Sequence, residues 1–434
     1  MYPSIRMIDA PAVRPAEAAP RTRRRILPRV SSNVVALGFT SLFTDISSEM
    51  VNSILPIYLT VQLGFSAAKF GLFDGVYGAA TAITAFWGAQ FADRRRRHKQ
   101  IAGAGYATSA ACKLGLFLVG GAWAPVTGIL YLDRMGKGVR TAPRDALISL
   151  SSEPENLGES FGVHRALDTG GALLGPLLAF VLLTILPQPY QAIFLISFLI
   201  ALIGLAVLFL FVRNAPEDNR KRTPVTVRSA LGVIRRPEFR RVAVTGGLLG
   251  LFTVSDSLLY LTLQRQSDLA ARFFPLLSVG TAVVYLLLAI PMGRLADAFG
   301  RRRVYLAGFT VLIGAYLILM SGAPGGGVIC AVLASMGLYY ACTDGVLSAI
   351  GSTVLPNSLR AAGLAILAGS VALGRLLSSI CYGWVWATWG SRAALTVSVV
   401  GLTAMALLAV WLLRNPASPT PDQLDRKSSS AIPS

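Results

Sequence analysis

Long apolar segments separated by short basic loops recur from residue 34 to residue 413 of this chain. A helix needs about 20 apolar residues to cross the hydrocarbon core of a bilayer, and each segment is about that long or longer. Only 14% of the residues are charged, against about 25% in a typical soluble domain. The chain is therefore predicted to be an integral membrane protein. Twelve spans are predicted, at 34–62, 69–92, 101–121, 123–149, 161–186, 189–212, 241–264, 272–296, 302–321, 326–349, 360–387 and 392–413.

Basic residues collect in alternate loops, and this asymmetry predicts the orientation of the chain. Arginine and lysine crowd the segment before the first span and the stretches 94–99, 213–240 and 301–303. Loops rich in lysine and arginine stay in the cytoplasm. We therefore predict a multi-pass protein of the bacterial cytoplasmic (inner) membrane with both termini cytoplasmic. The net charge of +19 then reflects topology, and no nucleic-acid partner is predicted. The other loops carry few basic residues, namely Lys69, Arg265, Arg272 and Arg392.

The longest hydrophilic interruption falls at the midpoint of the spans. It covers residues 213–240 and is predicted to be a cytoplasmic linker. It would join an N-terminal six-helix bundle over 34–212 to a C-terminal six-helix bundle over 241–413. The cytoplasmic tails, 1–33 and 414–434, are rich in proline, serine or basic residues, a composition typical of disorder.

The two halves repeat each other in sequence. AQFADRRRR at 89–97 follows the second span, and GRLADAFGRRR at 293–303 follows the eighth. TGGALLGP at 169–176 in the fifth span parallels AGSVALGR at 368–375 in the eleventh. Internal duplication of this kind is typical of secondary transporters, whose substrate site lies between the repeats.

The loop after spans two and eight resembles the motif Gly-x-x-x-Asp-Arg-x-Gly-Arg-Arg of the major facilitator superfamily. The second half carries Gly293, Asp297, Gly300, Arg301 and Arg302, and the first half carries Asp93 and Arg94, with Ala89 and Arg96 where the motif has glycines. The resemblance covers nearly the whole chain. It implies an all-α integral membrane fold of twelve transmembrane helices in two pseudo-symmetric six-helix bundles. It also implies that these loops form a cytoplasmic gate, in which the small residue permits close helix approach and the aspartate lies at a helix amino terminus.

Two further motifs strengthen the resemblance. In span four, Arg134 and Gly138 match the family's Arg-x-x-x-Gly, whose arginine influences a proton-carrying carboxylate in similar transporters, although Arg140 replaces a second glycine. In span five, Gly171, Gly175 and Pro176 match a Gly-x-x-x-Gly-Pro motif that is most typical of proton-coupled exporters. Small residues four apart let helices pack closely, and the proline bends the span.

Charged residues inside the spans are the candidate functional groups, because an ionisable side chain at membrane depth costs at least about 2.5 kcal/mol. Positions three and four apart share a helix face, so Asp45 and Glu49 line one side of span one. Desolvation and a nearby arginine act oppositely on a carboxylate, which can then bind and release protons near neutral pH. The predicted proton-coupling group is Asp45, Glu49 and Asp168, with Arg134 tuning them.

Other in-span charges form two further sets. An ion-pair latch between spans four and five at the cytoplasmic face is predicted from Arg140, Arg144, Asp145, His164 and Arg165. The isolated residues Asp74, Asp256, Asp344 and Arg375 are predicted to line the cavity or to contact helix ends. Because the first half holds most of the charges, we expect a more apolar substrate wall in the second half.

The function predicted from these patterns is secondary active transport, with proton-coupled export of a small molecule by alternating access. Three alternatives stay open: uptake of an anionic metabolite bound by the span-four arginines, efflux of a divalent metal ion, and a membrane sensor or assembly factor that does not transport. The predicted partners are the substrate, protons and the lipid bilayer. No cofactor and no enzymatic activity are predicted, and we expect a monomer.

Overall fold

The structure is a computed structural model that describes residues 30–95, 97–153, 156–186, 189–214, 233–323, 325–355 and 360–413. Every regular element in these ranges is a helix. Most of the predicted tails and of the predicted linker lies outside the described residues, as do the side chains of the second-span loop. The all-α prediction is confirmed, and the helices account for all twelve predicted spans.

The first half contains α1 (Ser32–Ile57), which continues as a π-helical turn over Tyr58–Gln62, and α2 (Ala67–Arg95), α3 (His98–Val119), α4 (Trp123–Leu150), α5 (Leu157–Ile185) and α6 (Pro189–Phe211). The second half contains α7a (Pro237–Leu251), α7b (Asp256–Gln266), a 3-10 turn over Ala271–Phe273, α8 (Phe274–Phe299), α9 (Arg301–Ser321), α10a (Gly326–Thr343), α10b (Val346–Thr353), α11 (Arg360–Trp389) and α12 (Ser391–Leu412). In the described part of the chain, ten spans are long and apolar enough to cross a membrane. Helices α2 and α4 are not among them, and α4 carries six charged residues.

Spans seven and ten are each broken in two, which the hydrophobic pattern did not predict. The break in span seven ends where the Ser255 side chain accepts a hydrogen bond from the backbone N–H of Leu258 and so caps α7b. The freed N–H of Val254 donates to the Tyr316 hydroxyl at 2.9 Å, which satisfies it away from water. In span ten, Gly345 has φ +74°, a conformation that favours glycine.

The two halves meet closely at one end of the bundle. Gly71, near the start of α2, packs so tightly against the backbone of Ser379 and Gly383 on α11 that a side chain would collide there. Phe180 of α5 stacks on Phe273 beside α8, with ring centroids 5.7 Å apart. These contacts lie at the end of the bundle where α1 finishes. The halves are therefore joined at the end opposite that at which α1 begins and α12 finishes.

Candidate functional site

Helix α4 carries a row of charged residues on one face, and each member contacts an oppositely charged residue of another helix. The spacing of three and four residues places them in line. We call Asp133, Lys137, Arg140 and Arg144 the α4 row. The pairs are Asp133 with Lys113 of α3 (2.6 Å), Lys137 with Glu49 of α1 (3.1 Å), Arg140 with Asp45 of α1 (3.7 Å) and Arg144 with Asp168 of α5 (3.5 Å).

Lys113 is the member of this network that the sequence analysis missed. Its side chain is only 2% exposed, and its ammonium also donates to the Ser48 hydroxyl at 3.3 Å. A buried charge without a partner is costly, so the pairing with Asp133 explains how a lysine is tolerated there. The one available signal was a lone basic residue inside the apolar third span.

Arg134 lies beside the α4 row but does not contact any of the predicted proton carriers directly. Its Nη2 donates to Oδ1 of Asn52 at 2.5 Å, and its guanidinium stands 4.4 Å from the centre of the Tyr77 ring. Asp133 is its nearest carboxylate, at 3.8 Å. The tuning role therefore stays a prediction, and it would act through Asn52 or through space.

Two of the predicted proton carriers come together where α5 crosses α1. The carboxyl groups of Asp45 and Asp168 are close enough to interact with each other, and each also lies within 4 Å of an arginine of α4. The glycines of the span-five motif make this approach possible: a methyl group on Gly171 would lie 2.5 Å from the carbonyl oxygen of Leu42, and one on Gly175 would lie 2.7 Å from that of Ile46. Two carboxylates in contact repel unless they share a proton. We call Asp45 and Asp168 the carboxyl pair.

The residues of the predicted latch divide between two helices. Arg144 joins α4 to α5 through Asp168, and its side chain also contacts the neighbouring Asp145 at 3.0 Å. His164 instead contacts the Ser41 hydroxyl of α1, at 2.9 Å. Arg140 likewise turns to α1, through Asp45. The exposed Arg165 lies 3.5 Å from Asp168 on the same helix. Arg144 also donates to the Ser41 hydroxyl at 3.4 Å, so three of the five residues contact α1, which the sequence analysis had left out of the latch.

The predicted gate loop of the second half, between α8 and α9, does not pack closely against another helix at Gly293. Asp297 and Arg301 pair with each other at 3.1 Å and are both well exposed. A methyl group on Gly293 would meet no atom within 4 Å, so the close approach implied by the motif is not made here. Asp297 also lies in the last turn of its own helix α8. The side chains of Asp93 and Arg94 lie outside the described residues.

The other two packing residues of the motifs lie inside helices. Gly138 faces α2, where a side chain would collide with Thr84 and with the backbone of Thr81. Pro176 lies within α5, directly after Gly175. Gly138 thus holds α4 against α2, as the two span-five glycines hold α5 against α1.

Two cavities lie between the halves. One, of about 360 Å³, is lined by α1, α7b, α8 and α10 and includes Glu49, and we call it the Glu49 cavity. The other, of about 550 Å³, is lined by α2, α7, α9, α10 and α11 and includes Asp74 and Arg375, and we call it the Arg375 cavity. Asp256, Tyr340 and Asp344 line both. All four isolated in-span charges thus face the space between the halves.

The acids of these cavities bind hydroxyl groups. Asp256 accepts from the Tyr340 hydroxyl at 2.6 Å, Asp344 accepts from that of Tyr285 at 2.9 Å, and Asp74 accepts from that of Ser379 at 2.9 Å. No basic group among the described residues lies within 4 Å of these three carboxylates.

The wall of the second half is rich in aromatic rings and hydroxyl groups, and the expectation that it is more apolar than that of the first half stays a prediction. Each tyrosine exposes an apolar ring and a polar tip, so hydropathy alone does not separate such a wall from ordinary core. The tyrosines that line the cavities are Tyr77, Tyr260, Tyr285, Tyr305, Tyr339 and Tyr340.

The sequence matches the family model described as Major Facilitator Superfamily over residues 37–275 and 257–433. The chain belongs to the Major Facilitator Superfamily. An uncharacterised MFS-type transporter of Methanocaldococcus jannaschii is 32% identical over 392 residues, which cover 87% of this chain and 94% of the relative. An uncharacterised protein of Mycobacterium tuberculosis is 24% identical over 403 residues, covering 88% of this chain and 93% of that protein.

Solved transporters share the same fold at low sequence identity. The nucleoside transporter NupG superimposes with a TM-score of 0.72 at 14% identity, covering 89% of this chain and all of that one (100%). A POT family transporter gives a TM-score of 0.73 at 12% identity, covering 88% of this chain and 96% of that one. These likenesses show the major facilitator fold. With the family match, they make this protein a multi-pass membrane transporter of the superfamily.

Proposed function

We propose that this transporter exports a small molecule in exchange for protons, by rocking of its two halves about the cavities between them. The observation that carries the proposal is the carboxyl pair, Asp45 with Asp168, in the interior of the first half. Two carboxyl groups in contact can share one proton. When that proton leaves, Arg140 and Arg144, which pair with Asp45 and Asp168, compensate the two negative charges.

The proton and the cavity are connected through α1. Asp45 lies one helical turn from Glu49, which lines the Glu49 cavity and pairs with Lys137 at 3.1 Å. Loss of the shared proton would break the contact between Asp45 and Asp168 and leave each carboxylate with the α4 arginine that it already pairs with, Arg140 at 3.7 Å and Arg144 at 3.5 Å. That change alters how α1 sits against α4 and α5, and so alters the wall that the substrate meets.

Two features support export. The span-five glycines, which resemble the motif of proton-coupled exporters, are the residues that bring the carboxyl pair together. With both termini in the cytoplasm, the closed end formed by Gly71 and Phe180 faces outward. The cavities are then loaded from the cytoplasm, which is the side from which an exporter takes its substrate.

The α4 row supports this reading over uptake of an anionic metabolite. Lys137, Arg140 and Arg144 each lie within 4 Å of a carboxylate, as Lys113 does. An anion would have to displace these internal partners before it could bind. For metal efflux, no group of three or more potential ligands is brought together among the described residues.

Everted membrane vesicles from cells that produce the full chain provide the test. A pH gradient is imposed, a library of small molecules is added, and proton movement is followed with an acridine dye alongside uptake of the compound. We expect at least one compound to enter the vesicles and release protons in exchange. Asp45→Asn and Asp168→Asn should abolish the exchange, whereas Glu153→Gln, which removes an exposed carboxylate after α4, should not. Uptake without proton movement, or undiminished exchange in both aspartate variants, would refute the proposal.

A further inference from the structure

The geometry points to an organic cation as the substrate, with its charged group held between Asp256 and Asp344 in the second half. This inference rests on the proposed transport through the central cavities, and it places the substrate charge away from the carboxyl pair that holds the proton. Proton binding and substrate binding are then carried out by different acids.

The first observation is the pairing of the acids. In the first half, the four carboxylates of these ion pairs each have a lysine or arginine within 4 Å. Glu49, which lines the cavity, has Lys137 as its partner. In the part of the chain that the structure describes, Asp256 and Asp344 form no ion pair within 4 Å, and the side chains that donate to them are the tyrosine hydroxyls of Tyr340 and Tyr285. A hydroxyl donor satisfies one oxygen but leaves the negative charge of the carboxylate unneutralised.

The second observation is the position of both acids on the two broken spans. Asp344 directly follows the last residue of α10a, where the helix dipole presents its negative end. Asp256 is the first residue of α7b. Both face the Glu49 cavity and the Arg375 cavity, so a bound group between them is reached from either. At Asp344 the negative end of α10a adds to the attraction of the carboxylate for a cation, whereas at Asp256 the positive end of α7b stabilises the ionised carboxylate.

The third observation is the aromatic wall. Tyr260, Phe274, Tyr285 and Tyr340 line the Glu49 cavity together with the two acids. Aromatic faces attract ammonium groups, most strongly where water is excluded. A cavity of about 360 Å³ has room for a compound with one aromatic ring and a substituted ammonium group.

Of the described residues that line the two cavities, the base that opposes this assignment is Arg375, and nearby carboxylates limit its effect. Arg375 lines the other cavity, where its Nη2 donates to the Tyr339 hydroxyl at 3.4 Å. Asp74 lines the same cavity and has no basic group within 4 Å among the described residues. Three carboxylates without an ion pair thus face one arginine, and the walls keep an excess of negative charge.

The test compares two probes of similar size and opposite charge, benzyltrimethylammonium and benzoate, on the purified full chain in detergent. Thermal unfolding is measured at increasing probe concentration, because a ligand that binds the folded state raises the unfolding temperature. We expect the cation to stabilise the wild type and benzoate to leave it unchanged. Asp256→Asn and Asp344→Asn should each lower the apparent affinity for the cation about tenfold. The double variant should show no stabilisation by the cation. Glu238→Gln, an exposed carboxylate at the start of α7a, is the matched control.

Several outcomes would overturn the inference. They are stabilisation by benzoate equal to that by the cation, no shift with the cation at millimolar concentration, or a double variant that still responds like the wild type. If the double variant does not fold, the two single variants decide. Asp45→Asn separates this inference from the proposed exchange, because it should retain cation binding while losing proton movement. Proton exchange without cation binding would refute the substrate class alone.

Discussion

The two halves of this transporter handle buried charge in opposite ways. In the first half, the α4 row ties α4 to α1, α3 and α5 through ion pairs between different helices. In the second half, the ion pair formed by the described residues joins Asp297 and Arg301, four positions apart at an exposed end. There the cavity acids Asp256 and Asp344 bind tyrosine hydroxyls, and spans seven and ten are broken next to them. The first half is therefore built as a cross-linked unit, and the second half as one that can bend.

This difference suggests how the halves divide the work. Ion pairs between helices fix the relative positions of α1, α4 and α5. Binding of a proton to the carboxyl pair therefore affects the packing of all three helices. Broken helices beside a cavity are where transporters place substrate groups, and they leave the second half free to adjust around the substrate.

The largest expected effect comes from breaking the most buried ion pair of the first half. Lys113→Met leaves the carboxylate of Asp133, whose side chain is only 9% exposed, without its partner at 2.6 Å. Removing one member of a buried pair costs about 3–5 kcal/mol. Because Arg134 remains 3.8 Å from Asp133, we expect the lower end of that range. The free energy of unfolding is measured by titration with SDS in mixed micelles.

A double variant shows whether the charge or the packing causes the loss. Lys113→Met with Asp133→Leu removes both charges, and replacing a whole buried pair by apolar residues is often neutral. We expect most of the stability to return. The corresponding change in the second half, Asp256→Asn, retains a group that can accept from Tyr340 and should cost far less. Equal losses in Lys113→Met and Asp256→Asn would contradict the contrast between the halves.

The next effect comes from moving α5 away from α1. Gly171→Ala puts a methyl group 2.5 Å from the Leu42 carbonyl oxygen, and overpacking of this kind costs about 1–3 kcal/mol. It should also part Asp45 from Asp168 and reduce proton exchange in everted vesicles. Gly170→Ala is the matched control, since its methyl group would lie 3.6 Å from the Leu42 side chain, an ordinary contact. Similar exchange in both variants would show that the approach of the carboxyl pair is not needed.

Much of this fold could be predicted from the sequence, because lipid imposes a simple length rule on each span. The predicted bounds of the twelve spans agree with the helices to within about four residues. The breaks at Thr253–Ser255 and at Asp344–Gly345 were missed. Hydropathy averages over a whole span, whereas these breaks depend on a serine cap and a tyrosine hydroxyl from another helix.

The site could be predicted only in part. Arg140 and Arg144 were predicted to form ion pairs from span four, and the structure shows them in a row with Asp133 and Lys137 that contacts α1, α3 and α5. Which acid meets which base depends on how helices distant in sequence cross, and no pattern within one span contains that information. The partners Lys113 and Asn52 were missed for the same reason.

The smallest expected effect tests whether a break in the second half works as a hinge. Gly345 in span ten has φ +74°, and Gly120 between α3 and α4 has φ +67°; a side chain would meet no atom within 4 Å at either position. An alanine held at positive φ costs about 1–2 kcal/mol, so Gly345→Ala and Gly120→Ala should destabilise the protein by similar amounts. Transport should respond differently. If span ten bends at Gly345 as the halves rock, Gly345→Ala slows compound uptake in everted vesicles and Gly120→Ala leaves it near the wild-type rate. Equal uptake by the two variants, at equal stability, would mean that the break in span ten shapes the binding wall without bending, and the second half would then move as rigidly as the first.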